Sequence, residues 1–205
     1  MQNKIDALNT AIESLRTARL ASDNLGKQEA ELKAAREKLE AQLADLPVES
    51  VSLPSGDDKA FDRPTSRMLS ARDDIGTKLD LLPGIRVRYR AQAEGLSQRL
   101  RSAAKSMVHH CRDQAETKMM TEEDELAKYL LKHYPGDLDG AKAAAAKAMR
   151  ATAAWEIGQN RTQGANAFRW FALFANYSHA ADPLSDAETI IGMAERFDRG
   201  QPCDY

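Results

Sequence analysis

The sequence predicts an all-α protein: an N-terminal coiled-coil-like helical arm or hairpin followed by a C-terminal helical bundle. Three observations predict it. Residues 1–46, 84–134 and 136–182 are free of proline, and proline is the residue that most reliably interrupts a helix interior. Apolar residues recur at helical spacing along these stretches. No alternating β-branched run marks a strand, since VESVSL at 48–53 is short and lies between two prolines.

Residues 1–46 form the arm. Ile5, Leu8, Ile12 and Leu15 follow 3,4,3 spacing and make one seam on a helix. Leu25, Leu32, Leu39 and Leu46 repeat every seven residues, with Leu43 filling a 4,3 step. The two series are out of phase, and Ser22–Gly26 between them is expected to break the helix or to form a coiled-coil discontinuity. Such a seam is marginal on a lone helix. It must lie against a second helical surface, supplied by the chain's own next helix or by another copy.

Residues 47–65 contain three prolines and little apolar periodicity, and are expected to be a linker. The bundle is assigned to 66–205. Helix resumes near Thr65 or Ser66, with Met68, Ile75, Leu79 and Leu82 along one face, and Leu82-Pro83-Gly84 is expected to end it. Ile85, Tyr89, Ala93, Leu96, Leu100, Met107 and Cys111 then share a stripe roughly 80° wide, as a core-facing helix requires. Thr121 with the acids that follow reads as a fresh N-cap, and its helix stops at Tyr134-Pro135-Gly136. Residues 141–157 are alanine-rich, eight of the twelve aromatics lie from Trp155 onward, and Ser185–Glu188 has the form of a capping box opening a last helix.

Composition narrows the function classes. The 205 residues carry 29 Lys and Arg against 31 Asp and Glu, a net charge of −2, which excludes coating of nucleic acid by bulk basicity. Cys111 and Cys203 are too few for a disulfide framework. The opening MQNKIDALNT has neither the basic nor the apolar region of a secretory leader, and no apolar run approaches the roughly 18 residues of a membrane span. A cytoplasmic setting is expected, with a virion component as the other setting that suits this build.

Charge is nonetheless uneven. Residues 85–112 carry seven cations against one acid, Glu94, a local net of +6. Arg86, Arg90, Arg101, Lys105 and Arg112 fall within about 100° on the helical wheel, so they are candidates to follow a phosphate backbone. The competing reading is a solvated face, or one paired with the acids of 1–46 and 122–125.

Other candidate chemistry is explained by structure. His109, His110 and Cys111 are adjacent and point about 100° apart, so they do not converge on one metal ion. Aligning Asp137-Leu-Asp-Gly140 on a calcium loop puts Ala146 at the twelfth position, and helix capping is the better account of those aspartates. No phosphate-cradling glycine loop, nucleophile elbow or HExxH is present. The expectation is therefore no enzyme and no cofactor. We expect a helical scaffold or adaptor that self-associates or docks a protein partner through helix–helix contacts, with Phe168, Trp170, Phe171, Phe174 and Tyr177 as docking candidates. The alternative is a nucleic-acid-binding accessory protein using the basic face at 86–112.

Overall fold

A computed structural model of the chain describes residues 1–45, 63–134, 136–158 and 166–203. Among them every regular element is a helix: α1 (Gln2–Ala44), α2 (Arg63–His133), α3 (Leu138–Gly158), α4 (Asn166–Ala175) and α5 (Pro183–Asp198). The protein is all-α. It divides into two compact units, one of Met1–Glu13 with Ser97–Tyr205 and one of Ser14–Leu96.

The helices are longer than local punctuation predicts. α1 runs unbroken through Ser22–Gly26, and α2 runs through both Pro83 and Thr121. Thr121 is no N-cap: its hydroxyl donates to the Thr117 carbonyl at 2.9 Å, one turn back in the same helix. Where the chain does turn, the expected signals act. α2 ends at His133, and Asp137 Oδ1 accepts from the Gly140 amide at 2.6 Å to cap α3.

In the 14–96 unit, α1 and α2 lie antiparallel. Glu29 of α1 pairs with Arg86 of α2 at 3.2 Å, while Arg36, further along α1, feels Asp80, which comes earlier in α2. The arm's partner here is thus the chain's own next helix. Leu25, Leu32 and Leu39 are half-buried in this unit, and Leu46 lies outside the described residues. Pro83 sits in the interior of α2 and donates no amide to the Leu79 carbonyl. Pro83→Ala is expected to stabilise this unit by about 2 kcal/mol. That is less than the ~3 kcal/mol proline penalty of a helix interior, because alanine also frees the unfolded chain. A shift in urea midpoint with unchanged slope would measure it.

The other unit holds the main core. Ile5, Leu8 and Ile12 from the first turns of α1, and Leu100, Ala104, Met107, Cys111 and Ala115 from α2, are all buried. Burial drives the pKa of the Cys111 thiol up to about 12, and burial with Lys4 and the chain's amino terminus nearby lowers that of His110. Further along, α2 changes face. Leu126, Ala127, Leu130 and Leu131 centre about 150° round the helix from Leu100, Met107 and Cys111, at 100° per residue. They pack with Ala141 and Ala145 of α3. α1 begins at Gln2, so beyond the Cys111 region α2 needs a different helix to cover it, and α3 provides one. The alanines keep that hairpin close, and Lys142 pairs with Asp124 across it at 3.1 Å.

α5 starts one turn earlier than the capping-box reading places it. Asp182 is the N-cap, accepting from the Ser185 amide at 3.2 Å, and Pro183 stands in the first turn. Ser185 is therefore inside the helix. Its C-terminal end is closed by Gly200 at φ 66°, whose amide bonds the Phe197 carbonyl, while the Gln201 amide reaches the Arg196 carbonyl at 2.9 Å.

Candidate functional site

The predicted site residues separate into distinct environments. Ile5, Leu8, Ile12 and Leu15 are 0–3% exposed, so this part of the seam is core. Of the basic candidates, Arg86 is held by Glu29, and Arg101 donates from Nη2 to the Ala181 carbonyl at 3.0 Å. Arg112 pairs with its neighbour Asp113 at 3.1 Å. Arg90 and Lys105 are exposed, with no partner among the described residues. The stripe is thus partly consumed by internal contacts.

The aromatic helix turns inward. Trp170 and Phe174, expected as docking candidates, are 1% and 2% exposed and belong to the core; Phe168, Phe171 and Tyr177 are half-buried. Trp170 stacks on Phe174 at 5.5 Å, and both meet Phe197 from α5 edge-on. Lys118 of α2 lies 4.3 Å above the Phe197 ring. The rings of Trp170 and Phe174 are spent on closing α4 against α5, which leaves them nothing to offer a partner.

Large exposed apolar side chains lie elsewhere, with Leu20 on α1, Leu81, Ile85, Val87 and Met120 on α2, and a further set on the α2–α3 hairpin. Tyr129, Tyr134, Leu138 and Trp155 are 57%, 64%, 52% and 56% exposed. Tyr129 packs its ring against His133 at 4.4 Å. Between the two helices is a cavity of about 570 Å³ lined by Leu130, Leu131, Tyr134, Gly140, Ala141 and Ala144 among others. The alanines explain it. Small side chains on α3 face leucines on α2, leaving a groove that Tyr134 borders, and Leu138 is exposed at the start of α3. The sequence shows the short apolar face of Leu126, Tyr129 and Leu130, but its aromatic content points to α4 for docking instead. The readable signal was Tyr134 and Leu138 beside Pro135-Gly136, apolar residues at a turn that cannot bury them.

A second feature was not anticipated. Asp186, 2% exposed, accepts from the Tyr177 hydroxyl at 3.0 Å and the Ala180 amide at 2.8 Å through Oδ1, and contacts His179 Nδ1 at 2.8 Å through Oδ2. A carboxylate held this way orients an imidazole. All three partners come from residues 177–180, so the network ties the α4–α5 connection onto α5. Among the described residues no group of three or more His, Cys, Asp and Glu side chains is gathered as a metal site. None of the helices searched there is long and apolar enough to cross a membrane.

Comparison with family models, with curated proteins and with solved structures finds no match to this chain. What the chain does must therefore be read from these surfaces.

Proposed function

We propose that this chain is a non-enzymatic helical scaffold or adaptor that self-associates or docks a protein partner through helix–helix contacts, using the α2–α3 hairpin. The observation that carries this reading is the groove lined by Leu130, Leu131, Tyr134 and Ala141, with Tyr134 and, at the start of α3, Leu138 both more than half exposed. Exposed tyrosine and leucine beside an apolar groove are the features of a helix-in-groove interface. Aromatic residues at such a rim contribute contact area with little conformational entropy to lose.

Tyr134→Glu with Leu138→Glu tests it. Both positions are exposed, so the substitutions are expected to leave folding within about 0.5 kcal/mol. Light scattering on the parent chain is expected to give a mass above 22.7 kDa, and the double variant to return to 22.7 kDa with an unchanged circular dichroism spectrum. If the parent is already monomeric, the docking arm is tested by cross-linking in native extract. A cross-link pattern identical for parent and variant would exclude both forms of the reading.

Nucleic-acid binding through the basic face at 86–112 is the second reading, favoured by the exposed Arg90 and Lys105. It requires affinity that falls steeply with added salt. A mobility-shift titration without a complex at low salt excludes it.

A further inference from the structure

The unit of residues 14–96 has a weak point in α2. In α2, Pro83 leaves the Leu79 carbonyl without its usual amide, and the ring crowds that carbonyl. Gly84 follows directly. A Cβ placed there meets nothing within 4 Å, so packing does not demand glycine, and its effect is added backbone freedom. Proline and adjacent small residues are the usual causes of sharp bends in long helices.

An open groove runs beside the proline. A cavity of about 460 Å³ lies at this level, lined by Leu79 and Pro83 of α2 and by Glu29, Lys33, Arg36 and Glu37 of α1. The Pro83 side of α2 is therefore open, while Leu82, one residue earlier and 8% exposed, keeps the buried contact beside it. Gly26 of α1 stands three residues before Glu29, again with open space at its Cβ position. The Arg86–Glu29 ion pair spans the gap beside the proline. Glu29 also holds Lys33 at 2.7 Å on its own helix.

We propose that Pro83–Gly84 is a hinge about which the 14–96 hairpin bends, with the Glu29–Arg86 pair as the tie that holds the straight form. The hinge does not depend on the docking groove, which lies in the other unit.

Spin labels at Asp74→Cys and Gln92→Cys report on it. Both positions are exposed and five turns apart, hence on one face of α2 and about 27 Å apart along a straight axis. Cys111 and Cys203 are buried and stay unlabelled. Pulsed electron resonance on the full chain is expected to give a broad distance distribution, roughly twofold narrower when Pro83→Ala and Gly84→Ala are added. Glu29→Gln is expected to broaden it. Hydrogen exchange in the unlabelled chain supplies an independent readout: amides at 84–88 are expected to exchange about tenfold faster than those at 68–78, and the alanine pair to remove the difference. Coincident distance distributions with uniform exchange across 68–88 would overturn the hinge.

Discussion

Asp186→Ala is expected to destabilise the unit containing α4 and α5 by about 3–5 kcal/mol, the size associated with removing one member of a buried charged network. Three groups lose their contact with Asp186 at once: the Tyr177 hydroxyl, the Ala180 amide and His179 Nδ1. A hydrogen bond to a charged group contributes about 1.5–3 kcal/mol, and a buried donor left unpaired carries its desolvation cost. Alanine at this position also leaves the 177–181 segment without its anchor, so the Arg101 contact to the Ala181 carbonyl loosens with it. Asp186→Asn separates the effects. Its amide oxygen still accepts from Tyr177 and Ala180, and its NH2 can face His179 in the tautomer whose Nδ1 accepts. We expect about half the loss. Thermal unfolding followed by circular dichroism measures both variants, and an alanine variant within about 1 kcal/mol of the parent would show that the network contributes little.

The parts of this structure that were legible in the sequence are those where burial and spacing decide. Ile5, Leu8, Ile12 and Leu15 lie on one narrow stripe, and a stripe of that kind has to be covered. Cys111 was readable for the same reason. What misled was local punctuation inside long helices. Pro83, Ser22–Gly26 and Thr121 each favour a break over a few residues, but the helices that contain them are held by packing along their length, and that packing outweighs a local preference of about 1–3 kcal/mol. Thr121 further offsets its preference by bonding the carbonyl one turn back.

The Asp186 network failed to show for a different reason. Its members at 177, 179, 180 and 186 fit no single period, because they meet only when a short connection folds back on the following helix. The signal that was available lay four residues upstream. Asp182-Pro183 is an N-cap followed by the residue best suited to a helix's first turn. Starting α5 there puts Asp186 one turn in, where an acid on the inner face must find donors.

Trp170→Ala is expected to cost about 3–5 kcal/mol, the range for deleting a buried tryptophan with partial collapse of the site. The side chain is 1% exposed and carries two kinds of contact. Its ring joins Phe174 and Phe197 in one aromatic cluster, so removing it strips packing from α4 and α5 together. Its Nε1 donates to the Gln201 carbonyl at 3.1 Å, and that carbonyl is brought into place by the turn at Gly200. The two contributions can be divided. Trp170→Phe keeps most of the ring volume and loses the hydrogen bond, for an expected loss of about 1–2 kcal/mol. Gly200→Ala leaves the tryptophan alone and strains a backbone at positive φ, for about 1 kcal/mol. If the bond and the turn act as one unit, the Phe and Ala losses combine to less than their sum, since either change alone already releases Gln201. Full additivity in denaturant midpoints would mean that the turn holds its shape without the tryptophan, and the cluster would then be packing alone.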